Sequence, residues 1–410
     1  MTITKQTGQV TAVADGTVVT PKGFQAAGVN AGLRYSKNDL GVILCDVPAS
    51  AAAVYTQSHF QAAPLKVTQA SLAVEQKLQA VIVNSACANA CTGEQGLKDA
   101  YEMRELCAKQ FGLALHHVAV ASTGVIGEYL PMEKIRAGIE KLVPGATMAD
   151  AEAFQTAILT TDTVMKRACY QTTVDGKTVT VGGAAKGSGM IHPNMATMLA
   201  FITTDANISS TVLHAALRAA TDVSFNQITV DGDTSTNDMV VVMASGLAGN
   251  DELTPNHPDW GNFYEALRKT CEDLAKQIAR DGEGATKLIE VRVRGAKTDD
   301  EAKKVAKQIV GSNLVKTAVY GADANWGRII GAIGYADADV DPDNVDVAIG
   351  PIVMLKGSEP QPFSEEEATA YLQQETVVIE VDLHLGDGFG VAWGCDLTYD
   401  YVKINASYRT

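Results

Sequence analysis

A hydroxyl residue at a predicted loop-to-strand junction is the part of this sequence best suited to chemistry. Between Lys186 and Asp205, glycines, a serine and a proline predict a loop, and the apolar run Thr197–Thr203 predicts a buried strand. Thr197 opens that strand directly after the small residue Ala196. If the chain cut its own Ala196–Thr197 bond, this threonine would become a new N-terminus.

An N-terminal threonine combines a nucleophile and a base in one residue. Its α-amine has an ordinary pKa of about 7.7–8.0, so a useful fraction is unprotonated near neutral pH. That amine can take the proton of its own hydroxyl, directly or through water, without a histidine. The chain has seven histidines that do not cluster in the sequence, which suits this chemistry. On the residues alone, an ordinary strand residue is the better interpretation of Thr197.

Other kinds of reactive or ligand-binding motif are missing from the sequence. It contains no P-loop, no HExxH motif and no G-x-S-x-G motif. Asp231–Asp238 resembles a calcium loop but lacks the glutamate at the twelfth position. Cys87 and Cys91 have no second pair at zinc-ligand spacing, and we expect His116–His117 in a loop or at a helix end. We therefore expect no metal and no cofactor.

The composition narrows the class of protein and its partners. The 410 residues are 46% hydrophobic and 20% charged, which is ordinary for a globular chain with a large core. A net charge of -15 repels nucleic acid and anionic membranes, so we expect neither as a partner. There is no long apolar run and no secretory signal, and the seven scattered cysteines suit a reducing compartment. We expect a cytoplasmic enzyme.

Small polar residues follow two predicted strands. Leu78–Val83 leads into the segment 84–93, and Val118–Ser122 leads into Thr123 and Gly124. A hydroxyl beside a glycine N–H can form an oxyanion-type donor pair, although a simple strand-to-helix turn is the commoner explanation.

The remaining pattern mixes helices with strands. It predicts an α+β fold in which mixed sheets are layered with helices. The elements that bear on the site are helices at Leu97–Phe111, Met132–Leu142, Ala149–Leu159 and Phe263–Arg280, a strand at Gln227–Asp231, and a packed tail at Tyr401–Thr410.

Five separate motifs, in order along essentially the whole chain, resemble one enzyme family. They are residues 186–199 (KGSGMIHPNMATML), 231–238 (DGDTSTND), 281–287 (DGEGATK), 321–329 (GADANWGRI) and 401–410 (YVKINASYRT). The chain resembles the ornithine acetyltransferase family, also called glutamate N-acetyltransferase, of arginine biosynthesis.

The resemblance implies a self-processing fold of the N-terminal-nucleophile type. The precursor would cleave at Ala196–Thr197 into an α chain, 1–196, and a β chain, 197–410, whose C-terminal lobe starts at about 285. The two chains would remain together in an α2β2 assembly. Thr197 would take the acetyl group from N-acetylornithine and pass it to glutamate.

The resemblance also assigns site residues. Thr123 and Gly124 would form the oxyanion hole, and the substrate-binding positions would be Thr160, Lys186, Thr197, Glu283, Asn405 and Thr410. The substrates carry α-carboxylates, which Lys186 can bind, and Glu283 can pair with the ornithine ammonium. One departure is the loop Asn84–Asn89, which reads NSACAN where the family is expected to have NSGNAN.

Three questions stay open at this level. A related self-cleaving aminopeptidase or amidase would use the same nucleophile with water as the acceptor. A non-catalytic binding protein would never cleave. No residue decides whether acetyl-CoA also serves as a donor, which would add amino-acid N-acetyltransferase activity.

Overall fold

The computed structural model describes residues 9–192 and 198–407, which form two compact units. The first unit consists of the described residues within Met1–Gly187, Asn194–Phe225 and Thr234–Leu274. The second consists of those within Ser188–Pro193, Asn226–Asp233 and Ala275–Thr410. The predicted division into chains 1–196 and 197–410 concerns cleavage of the backbone rather than compact units, and it stays a prediction.

The first unit is built on a mixed sheet that has nine strands within the described residues, in the order β1-β6-β7-β8-β9-β3-β4-β5, with β2 also paired to β3. Two of its pairs, β4–β5 and β8–β9, are parallel and the others are antiparallel. The strands are β1 (Val10–Ala12), β2 (Phe24–Val29), β3 (Leu40–Tyr55), β4 (Lys77–Asn84), β5 (Val118–Ser122), β6 (Lys166–Val174), β7 (Lys177–Lys186), β8 (Leu199–Thr204) and β9 (Met239–Ala244).

Helices accompany this sheet. They are α1 (Ala63–Glu75), α2 (Gly93–Phe111), α3 (Met132–Ile139), α4 (Met148–Ile158), α5 (Ser210–Asp222) and α6 (Trp260–Arg280), with short 3-10 turns at Leu115–His117 and Phe225–Gln227. The boundary between the two units falls inside α6.

Both faces of the first sheet are covered. In β4, Val81 and Val83 belong to one core, which also contains Phe154 of α4. The alternate residue Ile82 belongs to a second core, which contains Met103 of α2. Burial on both faces explains why β4 is a continuous apolar run rather than an alternating one.

The second unit contains a six-stranded sheet within its described residues, in the order β13-β12-β11-β14-β10-β15. Helix α7 packs on β10 and β15, and the Thr298 hydroxyl caps it by accepting from the Glu301 N–H. The elements are β10 (Leu288–Ala296), α7 (Asp299–Gly311), α8 (Asn313–Tyr320), α9 (Trp326–Ile333), β11 (Asp346–Ile349), β12 (Ile352–Lys356), β13 (Glu359–Pro360), α10 (Glu365–Leu372), β14 (Thr376–Asp382), β15 (Gly388–Cys395) and α11 (Tyr399–Ala406).

The predicted α+β class, with mixed sheets layered with helices, is confirmed. None of the described helices combines the length and the apolar character that a membrane span requires.

Two local predictions are wrong. Gln227–Asp231 is not a strand, because its only sheet-like pairing is the single bridge Ile228–Trp393, and Val230 N donates instead to Ile191 O. The described part of the tail, residues 401–407, lies largely in a helix, α11, which has no buried residue. Its apolar residues Val402 and Ile404 are two positions apart, so they point to opposite sides and form no apolar face.

Candidate active site

Three of the predicted site residues meet in the first unit. Lys186 is the last residue of β7, Thr123 follows β5, and Thr160 lies two residues beyond α4. The Lys186 ammonium donates to Thr160 Oγ1 at 2.8 Å and to Thr123 Oγ1 at 3.2 Å. Lys186 and Thr123 are each 8% exposed. The structure thus brings together one cation and two hydroxyls that lie far apart in the sequence.

Asp162 holds this group in place. Its carboxylate accepts from the Thr160 N–H at 3.0 Å, from the Gly187 N–H at 2.7 Å and from Lys166 Nζ at 2.6 Å. It therefore fixes the backbone on either side of the site, beside Thr160 and beside Lys186. Burial alone raises the pKa of the Asp162 carboxyl, but the charges of Lys186 and Lys166 outweigh burial and lower the pKa below its ordinary range.

Asp238 is a second carboxyl that interacts electrostatically with Lys186. Burial raises the pKa of Asp238 well above its ordinary range, and a hydrogen bond from Ser235 and the charge of Lys186 offset this only in part. The raised pKa favours the neutral form of Asp238. The Asp162 carboxylate, in contrast, interacts with both Lys186 and Lys166.

Gly124 occupies a backbone conformation that a side chain would disrupt. Its φ is +135°, and a Cβ added there would lie 2.1 Å from the carbonyl carbon of Ala86. Within 9–192 and 198–407, no hydrogen-bond partner takes up the Gly124 N–H. Thr123 accepts from Lys186, so its own hydroxyl hydrogen remains available for donation. The pair can therefore offer two donors to a developing oxyanion.

The loop Asn84–Asn89 supports these donors through its backbone. Thr123 N donates to Asn84 O at 3.0 Å, and Val125 N donates to Ala86 O at 3.0 Å. The Cys87 thiol points elsewhere and donates to Glu128 O at 3.0 Å. The departure from the expected family sequence also includes Ala86, which has a φ of +88° where glycine is expected, and its carbonyl still accepts from Val125 N.

Asn237 is a supporting residue that the sequence did not reveal. Its side-chain amide donates to Ala88 O at 2.6 Å and to Ser122 O at 2.9 Å. It thus joins the supporting loop to the end of β5, directly before Thr123. A buried asparagine next to a strand gives no signal of such a contact in the sequence.

The second unit contains another pair of the predicted residues. Asn405 Nδ2 of α11 donates to Glu283 Oε2 at 2.7 Å. Glu283 is 7% exposed, and its N–H donates to Ser188 O at 3.0 Å. A Cβ at Gly189 would lie 2.4 Å from the Glu283 carboxyl carbon, so a larger residue there would displace this carboxylate. The glycine of the Lys186 motif thus makes room for a carboxylate.

Asp231 explains the motif that resembles a calcium loop. Its carboxylate accepts from the Met190 N–H at 2.6 Å and from the Ile191 N–H at 2.9 Å. Met190 has a φ of +55°, a left-handed conformation that these bonds stabilise. Asp231 therefore binds the backbone that precedes the predicted cleavage junction in the sequence. The predicted cleavage junction, Ala196–Thr197, lies outside the described residues. The predicted substrate residue Thr410 also lies outside them.

Comparison with known proteins shows which sequences and structures the chain is similar to. The sequence profile of the ArgJ family matches residues 25–410. A Geobacillus kaustophilus protein named arginine biosynthesis bifunctional protein ArgJ is 96% identical over 410 residues, 100% of both chains. The Bacillus subtilis protein of that name is 66% identical over 96% of this chain and 97% of its own. The structure of ornithine acetyltransferase from Mycobacterium tuberculosis, complexed with ornithine, is 36% identical, covers 46% of this chain and 100% of its own, and has a TM-score of 0.43.

Proposed function

The chain belongs to the ArgJ family, and on that premise we propose that it is an acetyltransferase of arginine biosynthesis that moves an acetyl group from N-acetylornithine to glutamate. The observation that carries this proposal is the buried contact of Lys186 with Thr123 and Thr160. The products would be ornithine and N-acetylglutamate. This is the glutamate N-acetyltransferase reaction.

Each step of the reaction has residues suited to it. Self-cleavage would free the amine of Thr197, which would then accept the proton of its own hydroxyl as the oxygen attacks the acetyl carbonyl. The Thr123 hydroxyl and the Gly124 N–H would stabilise the negative charge that develops on the acetyl oxygen. The Thr197 ammonium would return this proton to the departing ornithine nitrogen as its bond to the acetyl carbon breaks. The glutamate amine would then attack the acetyl carbonyl of Thr197 and lose a proton to the Thr197 amine, which would pass it to the released Thr197 oxygen.

Binding would depend on charge complementarity. Lys186, next to Thr160, would bind the α-carboxylate that both substrates carry. Glu283, positioned by Asn405, would bind the side-chain ammonium of N-acetylornithine. The predicted positions Thr197 and Thr410 complete the proposed set.

The proposal extends to processing and assembly. The chain would cleave itself between Ala196 and Thr197, and the products would remain together as an α2β2 assembly in the cytoplasm. The name of the G. kaustophilus relative contains the word bifunctional. We therefore include acetyl-CoA as a second donor, which adds amino-acid N-acetyltransferase activity without any bound cofactor.

Two measurements on the purified protein test the acetyl transfer. Initial rates with both substrates should give parallel double-reciprocal lines, because ornithine leaves before glutamate reacts. On a denaturing gel, the wild type should give two bands of roughly half size, and Thr197→Ala should give one band at 43.2 kDa. Intersecting lines, or cleavage that persists in Thr197→Ala, would contradict the mechanism.

The related amidase reaction is the alternative, and the fate of the acetyl group distinguishes it. N-acetylornithine labelled in the acetyl group should transfer the label to glutamate, with little free acetate. Rapid release of labelled acetate without glutamate would favour the amidase instead. Formation of labelled N-acetylglutamate from labelled acetyl-CoA and glutamate alone tests the second donor.

A further inference from the structure

Glu75, His116 and His117 converge on the surface of the first unit, in a group that the proposed reaction does not use. Glu75 ends α1, and the histidines belong to the 3-10 turn Leu115–His117 directly before β5. One ligand atom from each residue lies within 4.8 Å of the others. The Glu75 side chain is 42% exposed and that of His117 is 10% exposed, so the group faces solvent on one side only.

The hydrogen bonds of His117 decide which of its ring nitrogens can bind a metal. Its Nδ1 lies 3.1 Å from Gln79 Oε1, and Gln79 Nε2 donates to Cys45 O at 3.5 Å. This orientation of the amide makes Gln79 Oε1 an acceptor, so Nδ1 carries the hydrogen. The Nε2 lone pair of neutral His117 then points at Glu75 Oε1, which also only accepts. A positive charge is needed between these two atoms.

Both histidines contact the same carboxylate oxygen of Glu75. His116 Nε2 lies 2.8 Å from the same oxygen, Glu75 Oε1, and the centroids of the two imidazole rings are 4.6 Å apart. One divalent ion can bind both imidazole lone pairs and the carboxylate together.

We propose that Glu75, His116 and His117 bind a divalent transition-metal ion of the zinc type. Imidazole nitrogen and carboxylate oxygen are ligands that zinc favours, and metal-bound histidines usually donate their other N–H to an oxygen, as His117 does to Gln79. Water would fill the fourth coordination position on the exposed side. The sequence alone did not predict this site, because Glu75 is distant from the histidine pair along the chain.

A second cluster of similar composition contains a histidine whose two ring nitrogens both have hydrogen-bond partners. Asp175, His257 and Asp259 also lie close together. There the Asp259 N–H donates to His257 Nδ1 at 3.0 Å, so Nδ1 carries the lone pair. The hydrogen is on Nε2, which donates to Asp175 at 3.1 Å. All of these groups are paired without an ion, so this cluster is a matched control.

The proposed ion would have a structural effect. It would link the end of α1 to the segment that enters β5, the strand that leads to Thr123 and Gly124. Because the ion would bind the folded state in preference to the unfolded chain, it would raise the melting temperature. It would take no part in the acetyl transfer.

The test is zinc binding by the tag-free full-length protein after treatment with a chelator. Isothermal titration with Zn²⁺ should give one saturable site per chain, with an accompanying rise in melting temperature. Glu75→Gln and His117→Gln should abolish that site, Gln79→Ala should weaken it by about 10- to 100-fold, and His257→Gln should leave it unchanged.

Circular dichroism should be used to check that each variant is folded, and we expect Glu75→Gln to fold because the Glu75 side chain is 42% exposed and its replacement is isosteric. An absence of saturable binding, or equal zinc affinity in wild type and Glu75→Gln, would overturn the proposal and leave the group as an imidazolium–carboxylate cluster. Because the readouts are affinity and melting temperature, they do not depend on the proposed acetyltransferase activity.

Discussion

Thr123 and Lys186 are hydrogen-bond partners at 3.2 Å although 63 positions separate them in the chain. An ammonium group only donates, so the threonine oxygen is the acceptor and its own hydrogen remains available for donation. The lysine therefore orients the hydroxyl that the proposed oxyanion hole uses. A single cation would serve both substrate binding and the orientation of a catalytic donor.

Removing this cation should weaken the binding of both substrates. In Lys186→Met, we expect KM for N-acetylornithine and for glutamate to rise roughly 10- to 100-fold, because a hydrogen bond to a charged group contributes about 1.5–3 kcal/mol. Steady-state kinetics measure this. Lys177→Met, at an exposed position in the β6–β7 hairpin, is the control and should behave as wild type. Unchanged KM values in Lys186→Met would exclude a direct role.

Gly124→Ala should lower kcat by more than a loss of folding stability could explain. The new Cβ would lie 2.1 Å from the Ala86 carbonyl carbon, so the backbone and its N–H donor must move. Loss of one oxyanion donor typically lowers kcat by about 10²–10³. Gly127→Ala is the matched control, since Gly127 has a φ of +85° with no atom within 4 Å of an added Cβ. Equal kcat values in the two variants would argue against Gly124 as a donor.

Glu283→Gln should discriminate between the two substrates. The variant keeps the size of the side chain and an oxygen that can accept from Asn405, but it loses the charge that pairs with an ammonium. We expect KM for N-acetylornithine to rise by at least about tenfold, and KM for glutamate to change less. Equal increases for the two substrates would show that Glu283 does not recognise the ornithine side chain.

Asp162 should make the stability of the protein sensitive to acid. Its pKa is lowered in the folded state, so its contribution is complete above the unfolded value of about 3.9 and is lost as pH falls below it. In urea unfolding at pH 7, Asp162→Asn should destabilise by about 3–5 kcal/mol, because two lysines lose a buried partner. The difference from wild type should shrink towards pH 3. Asp15→Asn, with a side chain 90% exposed, should cost less than about 1 kcal/mol at either pH.

Those parts of the fold that depend on local periodicity followed from the sequence. The predicted strand Leu78–Val83 is observed as Lys77–Asn84, and the predicted helix Leu97–Phe111 is observed as Gly93–Phe111. A strand that is buried on both faces is a continuous apolar run, and a helix that is buried on one face has apolar residues three or four positions apart. At Gln227–Asp231 the apolar residues are buried, but the segment pairs with β15 through a single bridge and does not continue as a strand, so the same pattern misled.

The side-chain contacts of the site could not be predicted from the hydrophobic periodicity of the sequence. The contact of Lys186 with Thr160 joins the end of a strand to the region after a helix, and the family resemblance predicted only that both residues belong to the site. Asp162 lies in a run of threonines that gave no indication of its role. Its role depends on Lys166 and Gly187, whose approach to it is set by the β6–β7 pairing and by the turn after β7.

The strand order of the first sheet determines how the two chains produced by cleavage would be held together. Strands β8 and β9 follow the predicted cleavage point, yet they lie between β7 and β3, which precede it. A cut at Ala196–Thr197 would leave backbone hydrogen bonds running from β7 to β8 and from β9 to β3. The two products would therefore separate only if the sheet were pulled apart, so they should co-purify without denaturant and dissociate only on unfolding.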